Sequence, residues 1–319
     1  MNTKQSWFLR IEDKGVVGIG EISIIEGLSP EYVDQEQFEK LIKKYSDAFD
    51  TGEIHPENLK TKLANVPSLL FAFESALLDL KNGGKQIYFN NGFCRGETKI
   101  PINGLVWMGD EHYMQEQITQ KLEQGFTTIK MKIGAIDVAT ELQLLRSIRK
   151  NHSAEQITLR VDANGAFRPE EAKEILKKLS ELEIHSIEQP IRAGNWEAMK
   201  ELCSETPTPI ALDEELIGIN DREQKIELLE TIRPQYIILK PSLHGGISGT
   251  QEWIELAQER KIDWWMTSAL ESNIGLNVIC QLTAEYNNPL PQGLGTGSLY
   301  TNNVESGLVV EGGFIFKQN

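Results

Sequence analysis

Two lysines stand one residue apart in the middle of this chain, and further charged residues follow them at nearly even intervals. Lys130 and Lys132 lie in the segment Thr-Ile-Lys-Met-Lys-Ile-Gly. Roughly every 25 to 30 residues thereafter, a short apolar segment ends in a carboxylate or a lysine. These residues are Asp162, Glu188, Asp213 and Lys240. Even spacing indicates a repeating structural unit that presents one polar side chain each time.

The pair of lysines is suited to proton transfer if both side chains enter one enclosed site. Residues two apart on a strand share a face, so Lys130 and Lys132 point together and Met131 points away. A neighbouring like charge and burial both lower the pKa of a lysine. A lysine closer to neutrality can act as a general base. The alternative interpretation is a solvated strand end with both ammonium groups in water.

The three carboxylates predict a metal site. Adjacent carboxylates repel one another unless a cation lies between them, and ligands that are all oxygen select a hard ion. We therefore predict that Asp162, Glu188 and Asp213 bind Mg²⁺, with Mn²⁺ as a substitute. Asn164 and Glu214 would orient these ligands through hydrogen bonds. For any one of these acids taken alone, a helix cap or a salt bridge is the alternative.

The elements that carry these residues alternate between short apolar strands and longer amphipathic helices from residue 100 onward. The predicted strands are 100–108, 128–133, 157–162, 186–189, 210–213, 236–240, 263–268 and a weak one near 291–294. Eight strands with helices between them predict a parallel (β/α) barrel, whose chemistry lies at the C-terminal ends of the strands. A doubly wound sheet is the alternative, but the sequence has no Gly-x-Gly-x-x-Gly after a strand.

The first hundred residues follow a different pattern. Apolar or alternating residues at 6–10 and 16–25 flank Asp13-Lys14-Gly15 and predict an antiparallel pair of strands. Helical patterns follow at 31–49 and 68–80. A sheet followed by helices is typical of a small α+β module.

These patterns predict how the chain divides into domains. We expect an α+β domain over residues 1–98 and a barrel over residues 99–298 that carries the catalytic site. The tail near 307–316 has the pattern of a strand or hairpin with a Gly-Gly turn. We expect residues from about 299 to 319 to return to the N-terminal module and to complete it.

Composition excludes several classes of partner. The net charge of −15 argues against binding to nucleic acid or to an anionic membrane, because both require a basic surface. The three cysteines, Cys94, Cys203 and Cys280, have no paired spacing, which argues against a disulfide framework and a zinc site. The first residues show no apolar signal segment, and no apolar run is long enough to span a membrane. We expect a reduced cytoplasmic setting and a small-molecule partner, and the oligomeric state stays open.

Several other residues are candidates with a structural alternative. Ser268, at the end of the seventh predicted strand, could bind a substrate carboxylate or cap a helix. Gly293 begins Gly-Leu-Gly-Thr-Gly-Ser, whose backbone N–H groups could bind an anion. His244 is interpreted as a loop histidine without an evident partner, and Arg160 as a buried counter-charge deeper in the barrel.

Taken together, these segments resemble the enolase superfamily, in its muconate-lactonizing branch, and within it the o-succinylbenzoate synthases of menaquinone biosynthesis. The matching segments are Lys-Met-Lys (130–132), Val-Asp-Ala-Asn-Gly (161–165), Ile-Glu-Gln-Pro (187–190), Leu-Asp-Glu (212–214), Leu-Lys-Pro (239–241) and Thr-Ser-Ala-Leu-Glu-Ser (267–272). The resemblance implies a modified TIM barrel, (β/α)7β, with an α+β capping domain. It also implies that the segment Gly18–Glu26 closes over the substrate, and we place Gly20 in the substrate site on that ground.

The resemblance also implies roles for the charged residues. Mg²⁺ would be held by the three carboxylates, would bind a substrate carboxylate and would stabilise the enediolate formed when the α-proton leaves. Lys132 would take that proton and return it to the departing hydroxide on the same face. Lys240 would stabilise the intermediate from the opposite face as a cation. Lys130 would tune Lys132 and contact the carboxylate.

Related activities remain as alternatives. Dipeptide epimerases of this branch usually place Asp-x-Asp on the eighth strand, where this chain has Gly-Leu-Gly-Thr-Gly. N-succinylamino-acid racemases use both lysines and are harder to separate from a synthase, and other epimerases or cycloisomerases of the branch share the same residues. A non-catalytic barrel should have lost a ligand or a lysine, and none is missing here.

Overall fold

The computed structural model describes residues 3–318 and shows strands and helices that alternate along most of the chain. The strands are β1 Ser6–Asp13, β2 Val16–Ser23, β3 Ile100–Pro101, β4 Gly104–Val106, β5 Thr128–Lys132, β6 Thr158–Asp162, β7 Ser186–Glu188, β8 Ile210–Leu212, β9 Tyr236–Leu239, β10 Asp263–Met266, β11 Leu308–Glu311 and β12 Phe314–Lys317. The helices are α1 Gln35–Asp50, α2 Leu59–Lys62, α3 Pro67–Lys81, α4 Glu111–Glu123, α5 Val138–Asn151, α6 Pro169–Ser180, α7 Trp196–Glu205, α8 Arg222–Ile232, α9 Gly246–Glu259 and α10 Asn273–Ala284. Within the described range, no helix is long and apolar enough to cross a membrane.

The parallel strands form the predicted barrel. Within residues 3–318, seven strands lie side by side in chain order from β4 to β10, and each is followed by a helix. The weak eighth strand is reduced to two parallel bridges, Ile102 with Gln292 and Thr267 with Gly293. Backbone hydrogen bonds of 2.8 Å from Gln292 N to Pro101 O and from Gly293 N to Met266 O join it to both edges. The modified TIM barrel with a capping domain is therefore confirmed.

Side chains alternate between the two sides of the barrel wall as predicted. Met131 and Val161 are fully buried in the outer core that the helices cover. Arg160 points inside, where its guanidinium lies 3.9 Å from the ring centroid of Trp265 and donates to Pro291 O at 2.6 Å. Arg160 is thus buried deeper in the barrel, as predicted, but its contacts are an aromatic ring and a backbone carbonyl, and its role as a counter-charge stays a prediction.

The N-terminal module packs a hairpin on a helix. Strands β1 and β2 pair antiparallel, and β2 lies so close to α3 that a Cβ atom at Gly20 would lie 1.9 Å from Ala72 O. Glycine at position 20 therefore permits this close approach, and its predicted substrate contact stays a prediction. Most of the predicted closing segment is the strand β2 itself, and it reaches the barrel where Ser23 Oγ donates to Ala269 O at 3.1 Å.

The hairpin predicted for the tail is observed, with Gly312-Gly313 at its turn. Strand β12 pairs with β11 and, on its other side, with β3, at the start of the barrel segment. Gly313 O also accepts from Ile102 N at 2.9 Å. The tail thus extends β3, which belongs to a sheet separate from the barrel wall. That the tail completes the N-terminal module stays a prediction.

A glutamate of α3 joins the N-terminal module to the barrel. Glu74 accepts hydrogen bonds from Ile247 N at 2.6 Å and from Ser248 N at 3.2 Å, at the N-terminus of α9. A carboxylate satisfies helix N–H groups that have no partner within the helix. Burial nevertheless raises the pKa of Glu74 to about 7.

This contact predicts a pH-dependent stability. The pKa of Glu74 is higher in the folded chain than in the unfolded one, so the folded state binds more protons between about pH 4.5 and 7. The free energy of unfolding should therefore fall as the pH rises through this window, by at most about 3 kcal/mol from this group. In Glu74→Gln this part of the decline should disappear. Urea unfolding at pH 4.5, 5.5, 6.5 and 7.5 measures it.

The matched control is Glu123→Gln, which changes an exposed glutamate on α4. Its pH dependence should match that of the unmodified protein. If Glu74→Gln also keeps the original pH dependence, burial of this carboxylate does not govern stability in this range.

Candidate active site

The predicted site residues meet at the C-terminal ends of neighbouring strands. Lys132, Asp162 and Glu188 are partners in register across β5, β6 and β7, so they lie at one level of the barrel wall. Asp213 follows β8 directly, and Lys240 follows β9 directly. The even spacing in the sequence thus becomes a ring of charges at the mouth of the barrel.

Ion pairs connect the lysines to the carboxylates. Lys130 Nζ lies 2.8 Å from Asp162 Oδ2 and also pairs with Glu188. Lys132 Nζ lies 2.6 Å from the same Asp162 oxygen. On the other side of the ring Lys240 pairs with Asp213. Lys130 and Lys132 thus share one face of β5, as the spacing of two residues predicted.

Burial and these ion pairs determine the ionisation of the ring. Burial lowers the pKa of Lys130, but the carboxylates of Asp162 and Glu188 outweigh it and hold that pKa above its ordinary value. Burial alone would raise the pKa of Asp162, but Lys130 and Lys132 lower it below its ordinary value. The pKa of Glu188 is raised by burial and by the Asp162 carboxylate. At Lys130, these carboxylates therefore supply the compensation that two adjacent lysines require.

The carboxylates fit a divalent cation by donor type and by their free oxygens. In the conformation observed, no group of three or more His, Cys, Asp or Glu side chains among the described residues is arranged to hold a metal ion. The carboxylates instead form ion pairs with Lys130 and Lys240. Yet Glu188 Oε1 and Asp213 Oδ1 are buried and accept no hydrogen bond from the described chain. Buried oxygens without donors are costly, and a hard cation satisfies them.

Asn164 and Glu214 connect the two sides of the ring. Asn164 Oδ1 accepts from Lys132 Nζ at 2.7 Å, and its Nδ2 donates to Glu214 Oε1 at 2.9 Å. The Asn164 backbone has a φ of 44°, in the left-handed region that asparagine tolerates. Its N–H donates to Asp162 Oδ1 at 3.1 Å. This geometry supports the orienting role that we predicted for both residues.

Gln189 is a site residue that sequence analysis missed. Its buried amide accepts from Asp213 N at 3.2 Å and donates to Glu215 Oε2 at 2.9 Å. It therefore holds the backbone of a predicted metal ligand. Its position beside Glu188 was the available signal, because a polar residue next to a ligand at a strand end can serve the neighbouring strand.

His244 lies in the loop between β9 and α9, as predicted, but it is buried and has a partner that the sequence did not reveal. Its Nδ1 accepts from the backbone N–H of Lys240 at 2.9 Å, so the neutral ring carries its proton on Nε2. Burial lowers the pKa of His244 to about 3, which keeps the ring uncharged. The tight turn of residues 240–246 folds the ring back onto the strand end, and the sequence alone does not reveal this turn.

Ser268 and Gly293 differ in what they offer to a substrate. Ser268 is buried at the mouth after β10, and its Oγ lies 2.5 Å from Thr296 Oγ1. The N–H of Gly293 donates to Met266 O, and a Cβ atom at this position would lie 2.5 Å from Thr267 Oγ1. Gly293 therefore closes the barrel, and its N–H is not free for the anion contact that we predicted.

Comparisons with known proteins point to one family. Residues 113–317 match the family described as enolase C-terminal domain-like. The chain is 47% identical to an o-succinylbenzoate synthase from Desulfotalea psychrophila, an alignment that covers 99% of this chain and 92% of that protein. The crystal structure of MenC from the same organism has a TM-score of 0.87 and 45% identity, covering 98% of this chain and 94% of that one. An L-Ala-D/L-Glu epimerase from Bacillus subtilis is 31% identical over 52% of this chain and 45% of its own length.

Proposed function

This chain belongs to the enolase superfamily, and on that basis we propose that it is an o-succinylbenzoate synthase. The reaction is the loss of water from 2-succinyl-6-hydroxy-2,4-cyclohexadiene-1-carboxylate to give 2-succinylbenzoate, which makes the protein a carbon–oxygen lyase. The observation that carries this proposal is the 47% identity to an o-succinylbenzoate synthase over 99% of the chain. The geometry that serves the reaction is a pair of lysines on opposite sides of a buried carboxylate ring. Strands β5 and β9 are four positions apart around the closed barrel of the described chain, so Lys132 and Lys240 face each other.

The lysines account for the proton movements. Lys132, in its neutral form, takes the proton from the carbon beside the substrate carboxylate. The same ammonium then returns this proton to the departing hydroxide, so that water leaves from one face and the ring becomes aromatic. Lys240 remains protonated opposite and stabilises the negative charge, since the Asp213, Glu188 and Glu214 carboxylates outweigh burial and raise its pKa.

The carboxylates define the metal requirement. Members of this superfamily use a divalent metal ion, and we propose Mg²⁺, with Mn²⁺ as a substitute, bound by Asp162, Glu188 and Asp213. When bound, the ion supplies positive charge that holds the substrate carboxylate and stabilises the anion formed from it. Asn164, Glu214 and Gln189 keep the ligands in place through the hydrogen bonds described above.

We also propose a cytoplasmic setting and a small carboxylate as the substrate. Within the described range Cys94, Cys203 and Cys280 are all buried and free of disulfides. This state fits a reducing compartment.

A racemase or epimerase acting on an N-succinylamino acid is the second candidate. The same two opposed lysines favour it, because a racemase removes and returns a proton on opposite faces. Dipeptide epimerases are disfavoured, because the eighth-strand region reads Gly-Leu-Gly-Thr-Gly (293–297) where they carry Asp-x-Asp. A substrate with a free ammonium group therefore lacks a counter-charge there.

The test compares both reactions in one preparation. With Mg²⁺ present, the purified protein should dehydrate the cyclohexadiene substrate with a kcat/KM at least about 100-fold above that for an N-succinylamino acid. Absorbance follows dehydration, and proton NMR in D₂O follows exchange of the α-proton. Exchange without dehydration would overturn the synthase proposal in favour of the racemase. A chelated sample serves as the control.

A further inference from the structure

A strained segment connects β10 to α10 at the mouth of the barrel. Residues Ser268–Ser272 carry the serine that we assign to substrate binding. Within this segment Leu270 has a φ of 58°. The left-handed region is sterically unfavourable for a bulky residue, and such a conformation persists only where its surroundings hold it. The contacts of this segment therefore decide where Ser268 lies.

The N-terminal module supplies contacts on either side of Leu270. Before it, Ala269 O accepts from Ser23 Oγ at 3.1 Å. After it, Ser272 N donates to Glu21 Oε1 at 2.8 Å, and Ser272 Oγ donates to Glu21 Oε2 at 2.6 Å. Glu21 and Ser23 lie on the same face of β2, because they are two residues apart. One strand of the module thus holds both ends of the strained turn.

Burial and further hydrogen bonds hold Glu21 in this position. Its carboxylate is fully buried and also accepts from Ser6 Oγ at 2.7 Å and from Gly275 N at 2.9 Å. A negative charge at the N-terminus of α10 is favoured by the helix dipole and by N–H groups that lack partners within the helix. A Cβ atom at residue 275 would lie 3.0 Å from Glu21 Oε2, so glycine gives the carboxylate its access.

The conformation of Leu270 affects the position of the Ser268 hydroxyl directly. The N–H of Leu270 donates to Ser268 Oγ at 3.4 Å, and Tyr300 donates to Leu270 O at 2.6 Å. Any relaxation of Leu270 out of the left-handed region would therefore move the donor that faces the Ser268 hydroxyl. Nothing in this chain of contacts passes through the lysines or the metal ligands.

We propose that Glu21 and Ser23 are positioning residues for substrate binding, which act through the Ser268–Ser272 turn. This inference rests on the proposed function and on Ser268 as the residue that meets a substrate carboxylate. The N-terminal module then determines substrate affinity at a distance, by fixing the conformation of a barrel segment.

The kinetic test uses the conservative variant Glu21→Gln. It should raise KM by about 10-fold, the loss expected for weakened charge-assisted hydrogen bonds, and leave kcat within about 3-fold. Mg²⁺ affinity measured by calorimetry should not change. Ser268→Ala should raise KM by a similar factor. The KM of the double variant should be no higher than that of either single variant, because both substitutions act on the same contact of Ser268 with the substrate. Glu12→Gln, an exposed glutamate on the same hairpin, is the matched control.

Some results would overturn the proposal. They are an unchanged KM in Glu21→Gln, or effects of Glu21→Gln and Ser268→Ala that simply multiply. If Glu21→Gln fails to fold, Ser23→Ala replaces it, since that change removes one hydroxyl and should raise KM by about 3-fold.

A second measurement separates this inference from the proposed function. Hydrogen exchange at the amides of Ser272 and Gly275 should accelerate by at least about 10-fold in Glu21→Gln and stay unchanged in Glu12→Gln. Absence of synthase turnover in the unmodified protein would refute the proposed function alone. Unaltered hydrogen exchange in Glu21→Gln would refute the proposal that Glu21 holds the Ser268–Ser272 turn, whether or not the protein has synthase activity.

Discussion

Lys132→Ala should lower kcat for dehydration by about 10⁴-fold, the upper range for loss of a positioned general base. The reason is geometric, because Lys132 Nζ is held by Asp162 Oδ2 at 2.6 Å and by Asn164 Oδ1 at 2.7 Å at the mouth of the barrel. Lys130 cannot replace it, since its ammonium is committed to Asp162 and Glu188. Steady-state kinetics with saturating Mg²⁺ measure the loss.

The same variant should still bind Mg²⁺. Asp162 keeps Lys130 as a partner when Lys132 is removed, so the proposed ligand remains ionised and in place. Calorimetric titration should therefore give an affinity within about 3-fold of the original. Lys150→Ala, which removes an exposed lysine on α5, controls for the loss of one positive charge. Activity retained by Lys132→Ala would sink the assignment of the base.

Glu188→Gln should weaken Mg²⁺ binding by at least about 100-fold, more than is typical for residues that only orient a ligand. Glu188 lies on β7, between the strands that precede Asp213 and carry Asp162, and it is in register with Asp162. Its Oε1 accepts no hydrogen bond from the described chain. The amide keeps the shape of the side chain but removes the charge that a cation requires. Titration calorimetry and the Mg²⁺ dependence of turnover both report the change.

The control for this substitution is Glu181→Gln, an exposed glutamate at the end of α6. It changes the net charge by the same amount and should leave Mg²⁺ affinity as it is. Equal affinities in Glu188→Gln and in the unmodified protein would remove Glu188 from the metal site. The proposal would then have to find its third ligand elsewhere in the ring.

The barrel and its ring of charges could be predicted because both follow from local patterns. Apolar strands that end in a charged residue repeat along the sequence, and parallel strands bring those ends to one edge. Lys132, Asp162 and Glu188 accordingly lie in register in the structure. The N-terminal hairpin was predictable for the same reason, because β1 and β2 are adjacent in sequence.

Predictions failed where a residue's role depends on a distant segment. The N–H of Gly293 was assigned to an anion, but it donates to Met266 O and closes the barrel wall. His244 appeared to have no partner because the turn that buries it is not evident from composition. The tail pairs with β3 in a sheet separate from the barrel wall, a separation that the continuous apolar pattern of residues 100–108 did not show.

The amino-acid sequence by itself determined the type of barrel, the six charged groups and the end of the barrel at which they meet. These features follow from periodicity, which is encoded within each strand and the helix after it. Only the tertiary structure decided which oxygen each lysine contacts, and that two carboxylates outweigh the effect of burial on the pKa of Lys130. It also decided that Glu21 holds Ser272 from 251 residues away. Such contacts depend on how two separate elements dock, and no local pattern records the distance between them.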